Sequence, residues 1–138
     1  MADCVAKTGA IIVVTYHRGK AEDGIDLVAD MQAFFGHAME KAECAGIPAE
    51  RIWIDPGVGF AKSIAQNFEV IHHLDTLKVW NCPVLVGFSR KSFIGKTLDR
   101  TVDQRLAGTL SSHLFALAKG ASIFRVHDVV EHRDALTI

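Results

Sequence analysis

Two rhythms of apolar and polar positions alternate along this chain. Short apolar runs, each finishing in polar residues, occur at Ile11-Ile12-Val13-Val14, Arg51-Ile52-Trp53-Ile54, Pro83 to Phe88 and Ser122-Ile123-Phe124. Runs of this kind predict strands buried on both faces. Between them, apolar residues recur at steps of three and four. Ile25, Val28, Met31, Phe35, Ala38 and Ala42 predict a long helix from about Gly24, capped by Gly46 and barred from continuing by Pro48. Phe68, Ile71, Leu74 and Leu77 mark a second helix. A third spans about Asp103 to Lys119, with Val102, Leu106, Leu110, Leu114 and Leu117 as its buried stripe and Gly120 at its end. Val129 to Ile138 reads as the start of a helix cut short. A strand followed by a helix, four times over, implies βαβ units and a parallel sheet in an α/β fold. With no linker, repeat or low-complexity segment, residues 1–138 form one structural unit.

Chemistry collects where the strands end. The sets are Tyr16, His17 and Arg18; Asp55; Ser89, Arg90, Lys91 and Ser92; and Arg125, His127 and Asp128. Parallel strands bring such ends to one rim, where ligands of α/β folds bind. Asp55 can accept two adjacent N–H donors, as in a 2-amino-4-oxo heterocycle, and can offset positive charge developing on such a ring. Asp-Pro-Gly after a strand is also an ordinary turn. Lys91 is a compact cation able to reach a carbonyl or ring nitrogen. Arg125 can stack a flat guanidinium on a ring and still donate to phosphate, and His127 can donate to a phosphate oxygen. The plainer reading of Arg125 and His127 is an ion-pair cluster with Asp128.

Composition narrows the field. A net charge of -1 over 138 residues argues against a nucleic-acid binder. No run of 18 apolar residues and no signal-peptide pattern occurs, so no membrane partner and a cytoplasmic location are expected. Cys4, Cys44 and Cys82 form no C-x-x-C pair and are expected as buried, reduced thiols. His72-His73 reads as helix surface, no H-E-x-x-H is present, and no metal site is expected in this chain. Gly95-Lys96-Thr97 imitates the end of a P-loop, but a Walker A motif needs Gly where Arg90 stands.

Three segments resemble the dihydropteroate synthase family. Asp55-Pro56-Gly57-Val58-Gly59-Phe60-Ala61-Lys62 is similar to its D-P-G-x-G-F-x-K segment. Gly87 to Gly95 resembles its G-x-S-R-K-S-x-I-G loop, and Arg125 to Val129 its R-V-H-D-V ending. The resemblance implies a (β/α)8 barrel, usually dimeric, that condenses 6-hydroxymethyl-7,8-dihydropterin diphosphate with p-aminobenzoate. The products are 7,8-dihydropteroate, in folate biosynthesis, and pyrophosphate. It implies Mg²⁺ assisting diphosphate departure and sulfonamides competing at the p-aminobenzoate site. Carried over, Asp55 and Lys91 grip the pterin, and Arg125 stacks on it and holds the diphosphate with His127. Ser92 lies near p-aminobenzoate, Phe60 lines the pocket, and Gly87 belongs to the substrate-binding set. Catalysis is then assigned to Asp55, Lys91, Arg125 and His127, with the diphosphate leaving before the amine attacks. The Ser-Arg-Lys-Ser loop argues against the pterin-binding barrel of a methyltransferase.

Two departures stand out. Where the family commonly has M-H-x-R-G, this chain has Thr15-Tyr16-His17-Arg18-Gly19, so a ring-packing Met is lost and lower pterin affinity is expected. A full barrel needs roughly 250 residues, and these residues supply about strands five to eight, the C-terminal half. The family's metal-contacting Asn and its mobile loops belong to the other half. Half a barrel leaves two sheet edges and an apolar face uncovered. The arrangements weighed are a fragment of a longer enzyme, which is favoured, a homodimer of half-barrels, completion by a separate N-terminal half, or a catalytically silent pterin-binding or structural remnant.

Overall fold

Four strands, one behind each helix-length stretch, lie parallel and in chain order in the computed structural model, which describes residues 1–19, 22 and 24–138. The elements are α1 (Ala2–Thr8), β1 (Ile12–Thr15), α2 (Leu27–Cys44), β2 (Ile52–Asp55), α3 (Ile64–His72), β3 (Leu85–Val86), α4 (Ser92–Leu98), α5 (Leu106–Ala118), β4 (Ile123–Phe124) and α6 (Val129–Thr137). β1 pairs with β2 from Ile12↔Ile52 to Thr15↔Asp55, and β3 with β4 at Leu85↔Ile123 and Val86↔Phe124. A parallel bridge, Ile54↔Val84, joins the two pairs into one arc. Helical crossovers between parallel neighbours are the building rule of a (β/α) barrel, and four strands joined by three such crossovers make half of one.

The two-residue period of a strand sorts its side chains between the arc's faces. Ile52, Ile54, Val84 and Val86 are buried against helices, among Met31, Phe35, Val70 and Leu77. On the alternate positions Val13 is 41% exposed and Trp53 and Ile123 are half-buried. Among the described residues β1 pairs only with β2 and β4 only with β3, so both edges of the arc are free, as expected of a half-barrel.

α2 follows its predicted stripe. Met31, Phe35 and Ala42 are buried, and Asp26 caps the N-terminus by accepting from the Ala29 N–H at 2.9 Å. The second predicted helix is two elements. α3 stops at His72, and a 3₁₀ segment covers Leu74–Trp80. Thr76 donates both its N–H and its hydroxyl to the His73 carbonyl, which tightens the turn. Ile71, Leu74 and Leu77 are buried as expected, but Phe68 is 42% exposed.

Three further expectations are corrected. α1 and α4 carry no signal in the hydropathy pattern; α4 buries Phe93 and Ile94 in a stretch that reads as loop. α5 does not bury its leucine stripe. Thr109, His113 and Ala116 face inward, while Val102, Leu114 and Leu117 are exposed. Of the cysteines only Cys82 is buried. Cys44 lies two residues beyond Ala42, on the opposite side of α2, and α1 buries no residue that could shelter Cys4. Among the described residues no helix is long and apolar enough to cross a membrane.

Candidate functional site

Asp55 ends β2 with 7% of its surface exposed. Its Oδ1 accepts the Gly57 N–H at 2.8 Å, so the ordinary-turn reading is realised through one oxygen. No hydrogen bond to Oδ2 is found among the described residues. The turn needs its glycines. Gly57 sits at φ 65, and a Cβ there would stand 1.9 Å from the Tyr16 carbonyl oxygen. Gly59 sits at φ 86, and a Cβ there would stand 2.5 Å from Lys91 Cδ. Buried Asn67 fastens the same loop, accepting the Gly59 N–H at 2.5 Å and donating to the carbonyls of Lys62 and Ser63.

Two lysines crowd this carboxylate. Lys91, at the end of the β3 loop, donates to the Val58 carbonyl, and its Nζ lies 4.3 Å from the centre of the Phe60 ring. Lys62 donates to the carbonyls of Gly57 and Phe60 at 2.9 and 3.3 Å, with its Nζ 4.5 Å from the Tyr16 ring. Burial pushes the Lys62 ammonium down to about 8, against the opposing pull of Asp55 and with a push from Lys91. Burial lowers Lys91 too, with Asp55 opposing and Arg125 assisting. Lys62 closes the Asp55–Lys62 segment, but the sequence alone gives it no role in the site. Its geometry places it there.

Arg125 and Gly87 meet across the β3–β4 pair. The Arg125 N–H donates to the Val86 carbonyl at 2.9 Å, and a Cβ on Gly87 would stand 3.1–3.4 Å from three guanidinium atoms. The guanidinium therefore lies over bare backbone. His127 is held by Ser89, whose Oγ accepts the His127 N–H at 3.2 Å and lies 2.8 Å from Nδ1. With Nδ1 engaged there, Nε2 is the ring nitrogen that Ser89 leaves free. Ser92 is exposed at the first position of α4, and Phe60 is 38% exposed.

Not every polar strand end joins this group. Arg90, at φ 58, turns its guanidinium to Asp128, and among the described residues no ion pair of Asp128 with Arg125 or His127, the plainer alternative, is found. The Arg90 N–H donates to Thr109 Oγ1 at 3.2 Å, and its carbonyl accepts from Arg105 at 2.9 Å. The Phe88 N–H points at His113 Nε2, 3.1 Å away. These bonds explain the inward face of α5: the loop beside it presents buried N–H groups that leucine cannot satisfy. At the β1 end, Tyr16 is buried and donates to Asp30 at 2.5 Å, and Arg18 binds Asp30 and Glu22. Burial and then Asp30 hold the Tyr16 hydroxyl well above its usual range. From this end the exposed His17 also approaches the rim, its ring centre 5.9 Å from that of Phe60, while the buried Tyr16 ring lies beneath Lys62. A groove of about 610 Å³ lies elsewhere, on the outer surface between α3 and α5 along Phe68, His72, Ser111 and Phe115.

A family model described as "Pterin binding enzyme" matches residues 1–127. Dihydropteroate synthase of Escherichia coli K12 is 34% identical over 142 residues, covering 99% of this chain and 50% of that protein. The structure of Xanthomonas albilineans dihydropteroate synthase with 4-aminobenzoic acid superposes with a TM-score of 0.94 at 42% identity, covering 99% of this chain and 50% of that one. Thermus thermophilus dihydropteroate synthase in complex with 6HMPPP gives 0.91 at 38% identity, covering 99% and 55%. The chain spans about half the length of the curated relatives it matches.

Proposed function

The chain belongs to the pterin-binding enzyme family, and on that premise we propose that it serves dihydropteroate synthesis. In this reaction 6-hydroxymethyl-7,8-dihydropterin diphosphate and p-aminobenzoate give 7,8-dihydropteroate and pyrophosphate. The observation that carries the reading is a buried carboxylate beside two partly desolvated lysines, Asp55 with Lys62 and Lys91, and the exposed Arg125 guanidinium at a neighbouring strand end.

Each residue takes a role in this reading. The Asp55 carboxylate accepts two N–H groups of the 2-amino-4-oxo ring, using the oxygen its own turn does not engage together with a remaining lone pair of Oδ1. Lys91 donates to the ring's carbonyl or nitrogen. The Arg125 guanidinium stacks on the ring over Gly87, and with Nε2 of His127 it holds the diphosphate. The C–O bond to the diphosphate breaks with its electron pair leaving on oxygen, and the pterin carries the resulting positive charge, which Asp55 offsets. The amine of p-aminobenzoate, placed by Phe60 and Ser92, then forms the C–N bond and releases its proton. The reading includes Mg²⁺ assisting diphosphate departure, with its protein ligand in the other half of the barrel. No step here is routed through it.

The same reading carries a cytoplasmic location and a homodimer. The exposed Phe68, Phe115 and His72 along the α3–α5 groove support a second copy as the occupant of that face. The test is pyrophosphate release by the purified chain given the pterin diphosphate, p-aminobenzoate and Mg²⁺. Release that depends on p-aminobenzoate is expected. Pterin binding without release would favour the silent binding module instead, and no binding at all would overturn the reading.

A further inference from the structure

Two buried histidines lie behind the site loops and touch none of the ligand groups assigned above. His113 on α5 is 0% exposed and His132 on α6 is 2% exposed. Their ring centres are 4.9 Å apart, and His113 Nδ1 lies 2.9 Å from His132 Nε2. Each end of the pair meets a different strand-end loop. The Phe88 N–H approaches His113 Nε2 at 3.1 Å, and His132 Nδ1 lies 2.6 Å from the Asp128 carbonyl oxygen.

These neighbours fix the protons. A backbone N–H can only donate, so His113 Nε2 accepts and the His113 proton sits on Nδ1. That proton is donated to His132 Nε2, which places the His132 proton on Nδ1, facing a carbonyl that can only accept. All the bonds therefore run one way, from Phe88 through both rings to Asp128. A second proton on either ring would turn an acceptor into a donor and break the run. The surroundings favour the neutral pair. The Asp128 carboxylate is engaged by Arg90, His127 is engaged by Ser89, and Glu131 is exposed. The ring neighbours from β3 and β4 are Phe88 and Phe124. Burial first, and the adjacent His132 second, push His113 down to about 4.

We propose that His113 and His132, as a neutral pair of Nδ1–H tautomers, are positioning residues that hold the Gly87–Lys91 and Arg125–Asp128 loops in one register. The proposal rests on the reading of these loops as a pterin site. Lys91 and His127 sit on different loops but would meet one ligand, so a shift of about 1 Å between the loops would misplace one of them.

The first test is ¹⁵N NMR of the histidine-labelled chain at neutral pH. Pyrrole-type Nδ1 and pyridine-type Nε2 signals are expected for both residues, the reverse of the preference of exposed imidazoles. The second is amide exchange in His132→Phe and His132→Gln. The first variant removes the acceptor for His113, and the second offers an amide oxygen in its place. In His132→Phe the Phe88 and Lys91 amides should exchange about tenfold faster while the α2 amides keep their rates, and affinity for the pterin diphosphate should fall about tenfold. His132→Gln should restore most of both. An Nε2–H tautomer at His113, or unchanged Phe88 exchange in a folded His132→Phe, would overturn the proposal. If His132→Phe does not fold, the wild-type tautomers and the Gln variant decide. Should the exchange result hold while the wild-type chain ignores the pterin diphosphate, the ligand reading falls and the coupling of the loops stands.

Discussion

The loops after β2 and β3 both deliver a charged group to the same rim, but they are held in different ways. The β2 loop is held mostly by its own segment, with Lys91 reaching in to the Val58 carbonyl. Asp55 binds Gly57 two residues on, Lys62 reaches back to the carbonyls of Gly57 and Phe60, and Asn67 ties down Gly59 from the first turns of α3. The β3 loop is held from outside. Its N–H and C=O groups are met by Thr109, His113 and Arg105, and Arg90 is anchored by Asp128, as many as 38 residues away in sequence. A self-held loop is built from short-range pattern. A loop held by neighbouring helices exists only once those helices have docked.

Breaking the ligand contact that both loops share should have the largest effect. Lys91→Ala is expected to weaken binding of the pterin diphosphate on the order of 100-fold, about 3 kcal/mol, because a charge-assisted bond is lost. Calorimetric titration measures this, and the unfolding midpoint should hardly move. Acid should attack the externally held loop next. His113, held near 4 in the folded chain against an ordinary value near 6.5, takes up its proton more readily when unfolded. The stability this provides is fully present above about pH 6.5 and is lost as pH falls towards 4, on the order of 2–3 kcal/mol. Urea melts across that window should show the loss, and in His113→Phe the added acid sensitivity should vanish. Gly57→Ala strikes the self-held loop. A methyl 1.9 Å from the Tyr16 carbonyl, on backbone at φ 65, should cost roughly 2–3 kcal/mol in a urea melt. Thr109→Val removes only the acceptor for the Arg90 N–H and should cost about 1–2 kcal/mol, with weaker ligand binding as its companion. Smallest in stability is Gly87→Ala, whose methyl meets the flexible end of Arg125. It should leave the melt within about 0.5 kcal/mol of wild type while lowering affinity through the displaced guanidinium.

That contrast also separates what the chain's pattern reveals from what it hides. The strand–helix alternation, the stripe of Met31, Phe35 and Ala42, and the placing of Asp55, Lys91, Gly87, Arg125 and His127 at adjacent strand ends were all legible, because each depends on residues near one another in sequence. The inward face of α5 was not. Hydropathy favours Leu114 and Leu117, but the helix packs against a loop with N–H groups to satisfy, and Thr109 and His113, one turn apart, are the side chains that can do so. A polar pair at i and i+4 inside an apolar helix is the signal that could have shown it. The same holds at β1, where Tyr16 and Arg18 look like ligand-binding groups until Asp30, a turn into α2, takes up the Tyr16 hydroxyl and the Arg18 guanidinium. Lys62 is hidden for the opposite reason. It sits inside a recognisable segment, but only the folded loop shows its ammonium beside the carboxylate.

The most direct measurement is a titration of the ¹⁵N-labelled chain with the pterin diphosphate, followed by amide and arginine side-chain shifts. Shifts centred on Asp55, Gly87, Lys91 and Arg125, saturating at one ligand per chain, are the expected result. Shifts confined to the α3–α5 groove along Phe68 and Phe115, or none at saturating ligand, would contradict a site built from the strand ends.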